Sequence, residues 1–99
     1  MRSATKKKPY VIARTQSAGV FAGTLESRIG TEAVLTGARR LWYWTGAETL
    51  SELAVHGTRT PDSCRFATPV RVELTQVIEI DTCTPAGQAS IEGVKTWRA

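Results

Sequence analysis

The segment at residues 39–44, Arg-Arg-Leu-Trp-Tyr-Trp, places two guanidinium groups beside three aromatic rings. Guanidinium groups recognise phosphates through forked, charge-assisted hydrogen bonds. Aromatic faces stack on nucleobases, and an arginine next to a ring also offers cation–π contacts. These residue types at this spacing favour a nucleotide or another phosphate-bearing small molecule as ligand.

Three adjacent aromatic residues disfavour a helix interior, so we predict that this segment is a strand. Alternate side chains of a strand face opposite sides. One side would carry Arg40, Trp42 and Trp44, and the other Arg39, Leu41 and Tyr43. One side must pack inward, so aromatic core residues stay a second interpretation. A subunit interface is a third, because Trp, Tyr and Arg are enriched there.

The predicted ligand-binding residues come from this segment and from an earlier part of the chain. They are Arg14, Ser17, Arg39, Arg40, Trp42 and Trp44. Other arginines could supplement a phosphate site, although sequence alone does not bring them together: Arg28, Arg65 and Arg71.

No catalytic constellation is recognisable in the sequence. The single histidine, His56, ends a predicted helix, where it compensates the helix dipole. Residues 19–23 have two glycines but lack the Lys-Ser/Thr of a phosphate-binding loop, and they favour a turn. Glu79 and Asp81 share one strand face that we expect to be solvated. We therefore expect a binding protein rather than an enzyme, with no metal or cofactor.

Charge, cysteine content and hydropathy indicate which partners and which cellular compartment to expect. The net charge is +4, and part of it comes from Lys6, Lys7 and Lys8. This modest excess makes nucleic acid an unlikely partner. Cys64 and Cys83 match no metal-binding spacing, so we expect reduced thiols in a cytoplasmic protein, with a disulfide as the alternative. No stretch reaches the roughly 18–20 apolar residues of a membrane span.

Periodicity and turn residues predict the elements. We predict strands at residues 10–15, 20–27, 32–35 and 38–44, with turns at Ile29-Gly30 and Gly37. A capping box at residues 49–52 begins a helix at 50–56, and Thr84-Pro85 begins another that ends near residue 92. Between them, residues 58–63 form a loop. Residues 70–81 alternate as a long amphipathic strand, or as two strands joined by a bulge near Gln76. Residues 94–97 would form a final edge strand.

These elements predict an α+β fold: a small, mostly antiparallel sheet or partly open barrel of five to six strands with two short helices. We predict a flexible basic tail at residues 1–8 and a single globular domain at residues 9–99.

Two motifs resemble a family of small tailed-phage proteins whose members carry a domain of unknown function. They are Ser-Ala-Gly-Val-Phe-Ala-Gly at residues 17–23 and Ala-Arg-Arg-Leu-Trp-Tyr-Trp at residues 38–44. The likeness runs through residues 77–80 and Cys83-Thr84 to Trp97, and so covers nearly all of the chain beyond the basic tail.

The resemblance implies a phage accessory protein in the bacterial cytoplasm. Many such proteins counter host immunity, and one mechanism is an oligomer that sequesters cyclic nucleotides or cyclic ADP-ribose-type signals. That mechanism needs capture of a phosphate-bearing ligand and no catalysis, so we expect a homo-oligomeric sponge. The alternative is a protein–protein interaction module that inhibits a host factor or serves in phage assembly.

Overall fold

Three consecutive strands form an antiparallel meander in the computed structural model, which describes residues 8–98. They are β1 (Tyr10–Thr15), β2 (Val20–Ile29) and β3 (Glu32–Tyr43). β3 runs unbroken where two strands were predicted, and Gly37 is accommodated in it at a φ of 56° next to a register shift. Of the predicted tail, residues 1–7 lie outside the described residues, and Lys8 forms an ion pair with Glu26.

The rest of the chain adds the helices and the edge strands. In chain order these are α1 (Leu50–His56), a 3-10 turn (Pro61–Ser63), β4 (Arg65–Phe66), β5 (Val70–Leu74), β6 (Val77–Thr82) and α2 (Pro85–Gly93). The six-stranded sheet has the order β4-β3-β2-β1-β6, with β5 also paired to β3, and its strands pair antiparallel. The predicted α+β class is confirmed.

The sheet curls strongly because β5 and β6 follow each other in the chain but pair with opposite sides of the meander. Val77 pairs with Thr15 at the end of β1, and its amide also donates to the carbonyl of Thr31 at 2.9 Å. In a straight β2, Val20 and Ile29 would lie about 30 Å apart, at about 3.3 Å per residue. The tip of the β2–β3 hairpin therefore folds back toward the end of β1.

Gly23 lies at this bend, beside register shifts in the β2–β3 pair. A Cβ at this position would lie 2.8 Å from the Cα of Ala38, closer than side chains pack. A glycine is therefore needed at this position, because the backbone of β3 leaves no room for a side chain.

The curled sheet has apolar residues on both of its faces, which form two cores. The inner core lies within the curl and contains Val11, Ala13, Phe21, Ala33, Leu35, Ala38, Leu74 and Val77. The outer core lies between the sheet and the two helices and contains Tyr10, Ile12, Ala22, Leu41, Leu53, Ala54, Cys64, Phe66, Ile91 and Val94. Because β1 contributes alternate residues to both, it is buried on both faces.

Both predicted helices begin at the predicted caps. The Thr49 hydroxyl accepts from the amide of Glu52 at 3.0 Å, and the Glu52 carboxylate accepts from the amide of Glu48 at 2.7 Å. In α2, the Thr84 hydroxyl accepts from the amide of Gly87 at 3.0 Å. The predicted caps therefore fix where each helix starts.

The predicted amphipathic strand at residues 70–81 is divided into β5 and β6, and its alternation is interrupted. Ile78, predicted to face inward, is 54% exposed, because the register shifts between Arg14 and Thr15 opposite it. Glu79 and Asp81, predicted to be solvated, are half-buried. The predicted edge strand at residues 94–97 is reduced to one parallel bridge between Phe66 and Thr96.

Within residues 8–98, no helix has the length and apolar character needed to cross a bilayer.

Candidate ligand-binding surface

Arg39 is buried, with 3% of its surface exposed. Its Nε donates to the carbonyl of Ala67 at 2.9 Å, and its Nη1 donates to the carbonyls of Ile91 and Val94 at 2.9 and 2.6 Å. Its Nη2 lies 3.4 Å from the carbonyl of Phe66. Burial lowers the pKa of this guanidinium. These contacts contradict the prediction that Arg39 binds a ligand, because its donors are used inside the fold.

The predicted alternation holds for the first part of the segment. Arg39 and Leu41 point inward, and Arg40 and Trp42 are exposed. It fails at Tyr43, which is 51% exposed because the pairing with β4 shifts register between residues 41 and 43. After the strand ends, Trp44 is half-buried against the outer core.

Four side chains form an exposed cluster, which we call the aromatic–arginine surface: Trp42, Tyr43, Arg65 and Trp97. The ring centroids of Trp42 and Trp97 lie 6.4 Å apart with an interplanar angle of 53°. The Arg65 guanidinium carbon lies 5.4 Å from the Trp97 ring centroid and 5.9 Å from that of Tyr43. Trp42 is 62% exposed and Trp97 38%. The cluster thus offers aromatic faces and a cation on the same surface.

Three chain segments bring this surface together. Arg65 is the direct partner of Tyr43 in the β3–β4 pair. Trp97 is held next to β4 because its amide donates to the carbonyl of Phe66 at 2.9 Å. Sequence reasoning missed Trp97, since nothing local predicts that the chain end returns to β4. It placed Arg65 only among the supplementary arginines.

The aromatic–arginine surface contains one cation, the guanidinium of Arg65. The ion pairs found among residues 8–98 are Lys8–Glu26, Arg14–Glu79, Arg59–Glu52 and Arg71–Glu73. Arg65 takes part in none of these pairs. Arg40 also takes part in none, and its guanidinium carbon lies 4.7 Å from the ring centroid of Phe21. The donors of Arg65 are therefore not used by a carboxylate in the described part of the chain.

A family described as a domain of unknown function, DUF6948, matches residues 8–91. The chain belongs to this family. The matched region includes the whole of β3 and β4 but ends before Trp97. No curated protein matches the chain, and no solved structure matches it. The family is described only as a domain of unknown function, which is the one part of the resemblance that this match supports.

Two other predicted residues of this DUF6948 domain meet in a different cleft. Arg14 and Trp44 line a depression of about 410 Å³ together with Glu48, Glu79 and the first turn of α1. Arg14 Nε donates to Glu79 Oε1 at 3.0 Å. The Arg14 guanidinium is already paired with the Glu79 carboxylate, and Glu48 adds a second negative charge to the cleft. Both features disfavour the binding of a phosphate. We therefore do not place the phosphate of the ligand here.

Ser17, the remaining predicted residue, lies in the β1–β2 connection. Its hydroxyl lies 3.4 Å from the side-chain oxygen of Gln76. The contact joins the β1–β2 connection to the β5–β6 connection and involves no residue of the aromatic–arginine surface. The six predicted residues therefore do not form one site.

Glu79 and Asp81 form a carboxyl pair on β6. The pKa of Asp81 is raised to about 6 by burial, by a hydrogen bond with Glu79 and by the charge of Glu79. The same hydrogen bond lowers the pKa of Glu79, and Arg14 lowers it further. Oδ2 of Asp81 is shielded from solvent, and no donor among residues 8–98 forms a hydrogen bond with it. The arrangement favours a single proton shared between the two carboxyl groups.

Cysteine and metal chemistry give no second candidate site in the DUF6948 domain. Cys64 and Cys83 are free thiols, Cys64 buried and Cys83 half-buried. Burial raises the pKa of Cys83 to about 11, which disfavours the thiolate. Across residues 8–98, no group of three or more His, Cys, Asp or Glu residues is arranged to hold a metal ion.

Proposed function

We propose that this protein is a non-catalytic binder that captures a nucleotide signal on the aromatic–arginine surface. The observation that carries the proposal is the position of the Arg65 guanidinium carbon, 5.4 Å from the ring centroid of Trp97, whose ring in turn lies 6.4 Å from that of the exposed Trp42. Stacking of one base on an exposed aromatic ring contributes about 1–3 kcal/mol. A guanidinium at the same surface supplies charge-assisted hydrogen bonds to the phosphate of that nucleotide.

The biological part of the proposal comes from the family resemblance of the two sequence motifs. On this basis we propose that the protein is a phage accessory protein that acts in the bacterial host cytoplasm. There it sequesters a cyclic oligonucleotide or a cyclic ADP-ribose-type signal. Sequestration counters anti-phage defence without turnover, so it requires affinity and no catalytic group. We expect a homo-oligomer, and native mass spectrometry reports its subunit number and any retained ligand together.

Calorimetric titration with cyclic dinucleotides, cyclic trinucleotides and cyclic ADP-ribose isomers tests the proposal. Wild-type protein should bind at least one of these compounds. Trp42→Ala and Trp97→Ala should each weaken that binding about tenfold, the loss expected for one stacking contact. Ile29→Ala is the matched control, because Ile29 is an equally apolar, 80% exposed residue at the end of β2. Titrations that stay flat with every compound would overturn the proposal.

The alternative is a protein–protein interaction module that uses the same surface against a host factor or a phage assembly partner. It is favoured by the large exposed area of Trp42 and Tyr43, at 62% and 51%, since Trp, Tyr and Arg dominate interface hot spots. In that case nucleotide titrations stay flat. A protein captured from infected host lysate would be lost with Trp42→Ala and retained with Ile29→Ala.

A further inference from the structure

We propose that Arg39 is a positioning residue that holds the aromatic–arginine surface in its binding conformation. This inference rests on the function proposed above, because it concerns the regulation of the same surface. Arg39 does not touch a ligand in this scheme. It acts through Arg65 and Trp97, whose chain segments it joins.

The carbonyls that accept from Arg39 belong to the two segments that carry these side chains. Ala67 and Phe66 follow Arg65 directly, and their carbonyls lie 2.9 and 3.4 Å from the guanidinium nitrogens. Val94, three residues before Trp97, accepts at 2.6 Å. Arg39 is part of β3, which also carries Trp42 and Tyr43. One guanidinium therefore connects all three segments of the surface.

The carbonyls are also the reason why this buried charge is tolerated. Among residues 8–98, no carboxylate forms an ion pair with Arg39. Two of its acceptors are the carbonyls of Ile91, in the last turn of α2, and of Val94, the residue that follows the helix. Carbonyls at a helix end lack the amide four residues on, and the Ile91 carbonyl also accepts from the Val94 amide at 3.3 Å. The negative end of the helix dipole further favours a cation there. Arg39 thus fastens the end of α2, and with it the chain that leads to Trp97.

Only arginine has the geometry for this connection. Its planar fork presents five donors in fixed directions, whereas the lysine ammonium is a single point with three donors. Lysine at residue 39 keeps the charge but cannot reach carbonyls on both segments. Arg39→Lys therefore separates the connecting role from the presence of a cation.

Amide hydrogen exchange of Arg39→Lys, followed by NMR, tests the proposal. The Trp97 amide, bonded to the Phe66 carbonyl, reports on the surface, and the Cys83 amide, bonded to the Tyr10 carbonyl, reports on the rest of the fold. We expect exchange at Trp97 to become about tenfold faster while exchange at Cys83 is unchanged, as in a local opening. Equal acceleration at both amides, or none at Trp97, would overturn the proposal.

Arg71→Lys is the matched control, because Arg71 is an exposed arginine on β5 that pairs with Glu73. It should change neither amide. The nucleotide that binds wild-type protein should bind Arg39→Lys about tenfold more weakly and Arg71→Lys equally well, if Arg39 acts through the surface. If wild-type protein binds no nucleotide, the proposed function is wrong. The role of Arg39 is then still decided by the amide exchange of Arg39→Lys.

A second measurement applies if Arg39→Lys does not fold. In wild-type protein at sub-denaturing urea, the Trp97 amide and the Ala67 amide, which is bonded to the Arg40 carbonyl, should open together. They should open at a lower urea concentration than the Cys83 amide. Independent opening of Trp97 and Ala67 would show that Arg39 does not connect their segments, and would overturn the proposal.

Discussion

Asp81 and Glu79 lie two residues apart on the same face of β6, so that each carboxyl group shifts the pKa of the other. Their pKa values move in opposite directions: that of Asp81 rises to about 6, and that of Glu79 falls. Asp81 is therefore the proton donor of the pair at mildly acidic pH, and Glu79, paired with Arg14, is the acceptor.

The raised pKa of Asp81 predicts a pH-dependent stability. Between its ordinary value of 3.8 and about 6, the folded protein retains a proton that the unfolded chain has released. This contribution therefore favours the folded state as the pH falls through the window, and it is lost as the pH rises above about 6. The lowered pKa of Glu79 acts in the opposite sense, since its contribution is present at higher pH and is lost on acidification.

Asp81→Asn isolates the Asp81 contribution, because the amide donates to Glu79 at every pH. We expect its melting temperature to exceed that of wild-type protein at pH 8, with the difference shrinking toward pH 4. Thermal unfolding across this range measures the effect. Glu73→Gln, which removes an exposed carboxylate on β5, should give no such gain. An Asp81→Asn protein that is no more stable than wild type at pH 8 would contradict the assignment.

Gly87 allows α2 to cross α1 in backbone contact. A Cβ there would lie 1.9 Å from the carbonyl oxygen of Ala54. Gly87→Ala should therefore lower the free energy of unfolding by about 1–3 kcal/mol, as overpacking does. Gly93 ends the same helix, and a Cβ there would meet no atom of residues 8–98 within 4 Å apart from its chain neighbours and its own helix backbone. Gly93→Ala should change stability by less than about 0.5 kcal/mol. Urea unfolding measures the free energy of unfolding of both variants. Equal losses of stability in Gly87→Ala and Gly93→Ala would contradict the prediction.

Both thiols should react slowly in the folded protein. Cys64 is 7% exposed, and the pKa of Cys83 is raised to about 11, so at pH 8 about one Cys83 in a thousand is a thiolate. We expect labelling by a thiol-specific disulfide reagent at least about a hundredfold slower in buffer than in urea. Cys64→Ser and Cys83→Ser assign the two rates. Rapid labelling of one thiol per folded chain would show that burial does not protect it.

The contact between Arg40 and Phe21 should contribute to stability. The guanidinium carbon lies 4.7 Å from the ring centroid, and the two residues are direct partners in the β2–β3 pair. A double-mutant cycle with Arg40→Ala and Phe21→Leu should give a coupling of about 0.5–1 kcal/mol, the range of exposed cation–π pairs. Zero coupling in urea unfolding would mean that the ring and the cation act independently.

Local signals in the sequence predict much of this fold, because capping residues and alternation act over a few positions. Thr49 and Thr84 mark the starts of both helices, and the short run of apolar, β-favouring residues at 10–15 marks β1. The short β4 has no such signal, since two residues form a strand only by pairing with β3. The exposure of Ile78 likewise depends on a register shift against β1, which local alternation cannot reveal.

The candidate site was predicted only in part, again because local patterns do not reveal which distant segments meet in the fold. Alternation correctly grouped Arg40 with Trp42 and Arg39 with Leu41, but it could not tell which face of the strand meets α2, and Arg39 is buried on that face. Arg65 and Trp97 reach the surface through β4 and the chain end. A pattern within one segment therefore predicts one strand of the candidate site and misses the residues that other segments bring to it.

The bond between Val77 and the hairpin tip also dictates an order of assembly. Residues of the inner core such as Phe21 and Leu35 are enclosed only when Val77 joins Thr31 to the end of β1. Contacts between residues so distant in the chain form slowly. A nascent chain that stops before Val77 lacks this contact and leaves part of the inner core in water, so the inner core can close only after residue 77 has left the ribosome.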